Sequence, residues 1–461
     1  MSNTHPLEDF VAAKAAELEV PGVAVGILHE DAEQYAFHGV TSTENPLPVD
    51  ADTLFQAGST TKTFTATAIL RLVDKGLVDL DAPVRRYVPE LVLKDESVAE
   101  AVTVLQLLNH TAGWDGDLFE NTGDGDDALA KYVARMATVD QVAPLGESVS
   151  YNNASLSLAG RVIEKVTGKT YEQAVRELLL DPLDMAHSFF FLNEVITRRF
   201  AAGHNRKPDG TIEVARNWAV PRANGPAGGI VANAADQVAW ARFHLGDGRG
   251  PDGKRLLSAE LLERMKAPTA HTKGGALGDA VGLSWLLKDV AGVRLVSHGG
   301  TTNGQHSEFV MVPERRFALI SMTNCGPNGP QLNTALIAWA LEHYLGVVEP
   351  DPEPLQLSES QLAAYTGTYE TIAATCRIVS ENGGLVLHVE VKPEMVAAMS
   401  EAGEEGADEE QPPIPLALIE GDGDPYVVTD GAAKGMRGYF SRGADGQIAG
   451  VHVGGRMAMR T

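Results

Sequence analysis

The chain has 461 residues, 44% hydrophobic and 21% charged, enough for a large core and for two or three domains. A formal net charge of −25 argues against a nucleic-acid or anionic-membrane partner, because phosphate contacts need clustered Lys and Arg. Cys325 and Cys376 stand in no metal-ligand or CxxC spacing; a single disulfide is compatible with them but not implied, and neither a metal nor a cofactor is called for.

Residues 1–10 lack the basic stretch and apolar core of a secretory leader, and no apolar run is long enough to span a bilayer. Both point to a cytoplasmic protein. Helical spacing over 7–18 is followed by short β-rich runs at 22–29 and 34–40, which predict a hairpin. The apolar spacing predicts helices over 60–75, 104–109, 127–137, 154–167, 171–180, 235–245 and 258–266. Then come β-rich runs at 283–288, 293–297, 305–312 and 317–322, and a last helix at 331–345. Strands at both ends with helices between them make an α+β arrangement, a sheet from both chain ends with a helical insert. This predicts a catalytic domain over 1–346.

Residues 347–357 carry three prolines among acidic residues and read as a linker. From 358 to 461 the pattern changes to short β-rich runs with glycine turns: 365–371, 376–380, 384–389, 425–428, 437–441, 448–453 and 456–459. That predicts a small antiparallel barrel. Within it, 400–411 is acidic and glycine-containing and is expected to be a mobile loop.

The motif that carries chemistry is Ser59-Thr60-Thr61-Lys62, the one SxxK in the chain. It stands where a turn gives way to a helix, and residues three apart on a helix share a face. Ser59 then has an amine beside it. A serine hydroxyl needs a base, and lysine serves only when burial or nearby positive potential keeps it neutral. The Ser59 backbone N–H at the helix start can face a developing oxyanion. One SxxK is weak evidence alone, since ordinary composition yields roughly one per chain of this length.

Two further motifs strengthen it. In Tyr151-Asn152-Asn153, Tyr151 can share a proton with Lys62, and Asn153 can hold Lys62 and a substrate carbonyl. A structural tyrosine and an asparagine N-cap are the plain alternatives. Ser297-His298-Gly299-Gly300-Thr301 ends a predicted strand. Its glycines, Gly299 and Gly300, allow close approach of substrate backbone. His298 can steer a carboxylate or carbonyl or assist proton transfer. The Thr301 N–H can be the second oxyanion donor.

SxxK, YxN and HGG in this order resemble the serine β-lactamase and penicillin-binding-protein superfamily. YNN stands for SDN and HGG for KTG, as in the branch of class C β-lactamases, D-aminopeptidases and esterases. Supporting phrases are Tyr87-Val-Pro-Glu-Leu91, Leu107-Leu-Asn-His-Thr-Ala-Gly-Trp114 and Pro226-Ala-Gly-Gly229. The resemblance covers about 7–345. It implies Ser59 as acylated nucleophile, Lys62 and Tyr151 as the base pair, Asn153 as an orienting amide and His298 as the third-motif residue. Histidine in place of lysine there weakens the case for a lactamase proper.

His110 is expected to be structural, closing a helix. Trp114 and the acidic run 116–127 are expected either to form a loop over the pocket mouth, with Trp114 and Asn152 touching substrate, or to be a solvated loop. Asp124 and Asp126 lack EF-hand spacing. Arg456, in a predicted barrel strand, can reach the site and pair with a substrate carboxylate or carbonyl; a surface arginine is the commoner case.

The overall layout resembles the penicillin-binding-protein-type thioesterases of nonribosomal peptide pathways, which pair a β-lactamase-like domain with a lipocalin-like one. That implies a peptide cyclase: a peptidyl thioester, free or held on a carrier protein, is taken onto serine and released as a macrolactam by its own amine. A hydrolase of the same branch, using water, is the alternative. A non-catalytic ligand-binding protein is a third, against which the intact motifs speak.

Overall fold

The computed structural model describes residues 5–461 except 119, 208, 219, 402–411 and 432. Strands β1 (Gly22–His29), β2 (Ala32–Gly39), β3 (Ala270–Gly275), β4 (Gly278–Val281), β5 (Leu286–Val290), β6 (Val293–Thr302), β7 (Gln305–Val312) and β8 (Phe317–Thr323) form one antiparallel sheet. Its order is β2-β1-β8-β7-β6-β5-β4-β3. The N-terminal hairpin thus pairs with the C-terminal strand of the domain: Val23 lies opposite Thr323 and Leu28 opposite Ala318.

Side chains alternate across a strand, so β1 and β7 serve two cores at once. Val23, Val25, Val310 and Val312 pack under helices α1 (Pro6–Glu17) and α4 (Asn328–Leu345). Ala24, Leu28, Phe309 and Met311 face the helical region. Burial on both faces explains the near-continuous apolar runs.

At the centre of the helical region is α2 (Thr61–Asp74), preceded by a 3-10 turn over Gly58–Thr60. Its sequence is rich in threonine, a poor helix former. The hydroxyls of Thr61, Thr63 and Thr67 bond back to Gly58, Thr60 and Thr63 carbonyls, and every residue from Thr61 to Leu70 is buried. Burial outweighs propensity here, and it fixes where the helix begins. Helix α3 (Asn153–Thr167) starts at Asn152, whose side chain accepts from the Ser155 N–H, and stops at Gly168 in the left-handed region.

Strands β9 (Gly367–Glu370), β10 (Ala374–Glu381), β11 (Gly384–Val391), β12 (Ile414–Leu418), β13 (Pro425–Val428), β14 (Arg437–Arg442), β15 (Ile448–Val453) and β16 (Arg456–Arg460) close into a barrel. Its inside is filled by Tyr369, Cys376, Ile378, Leu387, Tyr426, Phe440 and Val451. The fold is α+β, an eight-stranded antiparallel sheet with helices followed by an eight-stranded antiparallel barrel.

Several elements differ from the sequence expectation. The edge strand β3, its neighbour β4 and the barrel strand β12 carry too little alternation to be visible. Residues 176–180 are a π-helical turn that continues the helix over Tyr171–Val175. Pro393–Glu401 is a helix within the barrel block, so the expected loop starts later; its remainder, 402–411, lies outside the described residues. Cys325 and Cys376 are both buried and free, which removes the disulfide option.

Candidate active site

Ser59 sits in the 3-10 turn and Lys62 in the first turn of α2, and Lys62 Nζ donates to Ser59 Oγ at 3.1 Å. The amine also donates to the Ala227 carbonyl at 2.7 Å. Lys62 is fully buried; burial first, then the nearby Arg456 charge, drives its pKa well below the usual lysine range. A neutral amine beside a hydroxyl is the arrangement that proton transfer requires.

Tyr151 completes the cluster. Its ring centroid is 4.8 Å from Lys62 Nζ, and Ser59 is near enough to its hydroxyl to oppose the effect of burial on the phenol. Burial pushes the phenol upward in pKa, so it holds its proton. Behind it lies His110, ring centroids 4.6 Å apart, in the left-handed region at the end of the helix over Val104–Leu108. His110 Nδ1 accepts from the Asn152 N–H. It closes a helix and backs Tyr151, as a structural residue does.

The turn at Ser59 is tied to β6 and β7. Thr60 Oγ1 donates to the His298 carbonyl, and Ser307 Oγ to the Ala57 carbonyl. The approach is so close that a Cβ on Gly58 would lie 2.7 Å from Thr301 N, and one on Gly300 2.8 Å from Ser59 N. Gly58 is also at φ 52°. These glycines bring the Ser59 and Thr301 amides to the same place. Strand β6 pairs with β5 only over Val293–Ser297 but with β7 as far as Thr302, so His298–Thr302 keeps one free edge along the cleft.

His298 is buried and lines the cleft with Gly299, Gly300 and Thr301. Burial is the main cause that holds its pKa down at about 3. A neutral imidazole offers a substrate carboxylate or carbonyl a hydrogen bond rather than a charge.

The permanent cation at the site is Arg456, from the barrel. Its guanidinium forms a two-pronged ion pair with Asp117, one bond at 3.0 Å, and its Cζ stands 5.2 Å from the Tyr151 ring. Burial opposes its charge, but Asp117 outweighs burial and raises its pKa. Asp117 also accepts from Asn153 Nδ2 at 3.0 Å. The Asn153 amide nitrogen is therefore engaged with Asp117 rather than Lys62, while the residue still lines the cleft. The barrel hairpin is anchored further: Tyr151 N–H donates to the Gly455 carbonyl and Met457 N–H to Ser150 Oγ.

Trp114 and Asn152 are not where substrate contacts were expected. Both are about 1% exposed and bond to each other, Trp114 Nε1 to Asn152 Oδ1 and Asn152 Nδ2 to the Trp114 carbonyl. Asn152 is the N-cap of α3. Of the acidic run, Glu120 and Asp124 line the cleft mouth, whereas Asp117 is buried against Arg456.

Two residues escaped the motif reading. Asp117 was hidden in a run of acids, with no signal to separate it. Glu308 is the last residue of the polar half of β7, directly opposite Gly299, and nothing in the sequence sets it apart from Gln305, His306 and Ser307. Burial raises its pKa to about 7. The whole cleft has a volume of about 1920 Å³, and Phe191, Leu192, Trp218 and Val220 give it an apolar part.

A serine and a tyrosine lining a cleft around a buried lysine, between such a sheet and such helices, define a serine-reactive β-lactamase-type protein. The Beta-lactamase family profile matches residues 7–343, and the chain belongs to that family. It is a serine hydrolase or acyltransferase of that family. It is 34% identical over 373 residues to penicillin-binding protein 4 of Amycolatopsis lactamdurans, covering 80% of this chain and 97% of that protein. It is 23% identical over 383 residues to unguisins hydrolase ungD of Aspergillus violaceofuscus, covering 77% of this chain and 67% of that protein. Among solved structures, SurE superimposes with a TM-score of 0.77 at 26% identity, covering 99% of this chain and 98% of that one. SurE with D-Leu gives 0.73 at 25% identity, with the same coverage. Among the described residues no helix is long and apolar enough to cross a membrane.

Proposed function

We propose that this protein takes a peptidyl thioester or ester onto Ser59 and releases it by attack of the peptide's own amine, giving a macrolactam. Ser59 Oγ attacks the acyl carbonyl while neutral Lys62, with Tyr151, accepts its proton. The Ser59 and Thr301 N–H groups stabilise the oxyanion. The C–S bond breaks and the proton passes to the departing thiolate. In the second half the amine nitrogen forms a bond to the acyl carbon, the bond to Ser59 Oγ breaks, and the amine's proton returns through Tyr151 and Lys62 to the serine. Arg456, held by Asp117, places the chain end through a carbonyl or carboxylate, and Asn153 offers its carbonyl oxygen to substrate N–H.

The observation that carries this reading is the barrel hairpin at the site: a second domain contributes Arg456 within 5.2 Å of the Tyr151 ring. Cyclisation needs water kept from the acyl-enzyme while an amine enters, and a domain leaning over the serine favours that. A cleft of about 1920 Å³ exceeds the roughly 300–1,000 Å³ of ordinary small-molecule pockets and suits a folded-back peptide. The free edge of β6 can pair with extended peptide backbone. Likeness along the whole chain to SurE, solved with D-Leu, supports an acyl donor ending in a D-residue. The substrate would be free or carried on a carrier protein in the cytoplasm.

Hydrolysis by the same residues is the second reading, favoured by similarity to a protein named unguisins hydrolase. One experiment separates the two. The protein is incubated with a peptidyl thioester ending in a D-residue, and products are resolved by mass spectrometry. Cyclic product with little linear acid supports the cyclase; linear acid alone rejects it.

A further inference from the structure

Glu308 lies on β7 directly across from Gly299, the middle residue of the His-Gly-Gly motif. Side chains of paired antiparallel residues lie on the same face. With no side chain at 299, the carboxylate occupies that space: its Oε1 is 2.7 Å from where a Cβ on Gly299 would stand. It thereby leans across β6 toward the strand's free edge and lines the cleft.

Other acids around the cleft are already neutralised. Asp117 is held by Arg456, Glu172 by Arg222 and Glu120 by Arg135. Asp124 is exposed to solvent. Among the described residues, Glu308 makes no ion pair and no hydrogen bond; the hydroxyl of Ser321, its neighbour on β8, donates to Asn333 Oδ1 instead. A sheltered carboxylate without a partner is unfavourable, and a cation delivered with the substrate relieves that cost. The raised pKa of Glu308, about 7, is the same cost seen from the proton's side.

We propose that Glu308 is a specificity subsite for an alkylammonium group of the acyl donor, admitted to the carboxylate across Gly299. This rests on the reading that a peptidyl donor occupies the cleft. A peptide extended along the free edge of β6 directs alternate side chains to the Glu308 face, one of them opposite Gly299. The ammonium is either the end of a basic side chain at that position or the free N-terminal amine folded back into the cleft.

The test compares acylation of Ser59, followed by thiol release in single turnover at pH 8. Three matched thioesters with the same D-residue at the end are used: an N-acetylated peptide with norleucine at the variable positions, the same peptide with one lysine scanned through them, and the norleucine peptide with a free N-terminus. The wild type is expected to favour one cationic peptide by about tenfold in kcat/KM, the step that a single good contact supplies. Preference in the lysine arm identifies a side-chain source; preference in the free-amine arm identifies the N-terminus. Glu308→Gln is expected to bring the ratio to about one, and Glu308→Asp to keep part of it. Melting curves establish that each variant is folded. Equal acylation of all three peptides by the wild type, or an unchanged preference in Glu308→Gln, overturns the subsite and leaves the acyl-transfer reading standing. No acylation by any peptide overturns both.

Discussion

Two glycine-bearing segments come up to the serine–lysine–tyrosine cluster. One is the end of β6, His298–Thr301; the other is the barrel hairpin, Gly454–Arg456. The first belongs to the same domain as the cluster, and its glycines let Ser59 N and Thr301 N converge. The second comes from a domain with its own hydrophobic core. Near Tyr151 it is joined by polar contacts: the Gly455 carbonyl to Tyr151 N–H, Ser150 Oγ to Met457 N–H, and Asp117 to Arg456. The loop at Ile372 adds a bond to Asp115. Chemistry is built into the catalytic core, whereas substrate placement comes from a separate barrel, joined to it by these polar contacts and by the packing of Tyr439 on Gly275 and Gly455 on Leu277. Changes in the first segment should damage folding and catalysis together. Changes in the second should alter substrate handling first.

The largest expected effects lie in the core. Ser59→Ala should abolish turnover of a peptidyl thioester, and Lys62→Ala should lower kcat by about 10³-fold or more, with melting curves confirming a folded protein. At the barrel contact, Asp117→Asn should release Arg456 and lower kcat/KM about 10- to 100-fold with a small change in melting temperature. Equal losses of stability in Asp117→Asn and Lys62→Ala would remove the distinction between the two regions.

Smaller effects report on electrostatics and caps. Folded Glu308 has a pKa of about 7, above the 4.5 of an ordinary glutamate, so the folded state binds more protons between those values. Its contribution to stability is therefore present at low pH and lost as pH rises through about 7. Glu308→Gln should gain in melting temperature relative to the wild type over that interval; a constant difference from pH 4.5 to 8 would contradict the assignment. Asn152→Ala should cost about 1 kcal/mol through loss of the α3 cap, measured by urea unfolding. Its effect on substrate kcat/KM should be smaller than that of Asp117→Asn.

Much of this site is legible in the sequence because its parts obey local rules. SxxK at a helix start fixes the Ser59–Lys62 contact by helical spacing alone. The two glycines after His298 signal a close backbone approach. The barrel is visible through its turns and alternation, but β12 and the helix over Pro393–Glu401 are not, since both flank an acidic stretch without periodicity. Asp117 and Arg456 are 339 residues apart and meet only after two domains pack together; no local pattern encodes that. Trp114 was misjudged for the opposite reason. A large aromatic near a catalytic motif suggests a pocket wall, yet its indole N–H found a partner in Asn152 and the ring went into the core.

The most direct measurement is covalent. The protein is mixed with a limiting amount of a peptidyl thioester ending in a D-residue, quenched within seconds, digested and mapped by mass spectrometry. The account predicts a peptidyl adduct on Ser59 in the wild type, and one formed about 10- to 100-fold more slowly in Arg456→Ala. An adduct on another residue, or equal labelling rates in the two proteins, would contradict a site assembled from both regions.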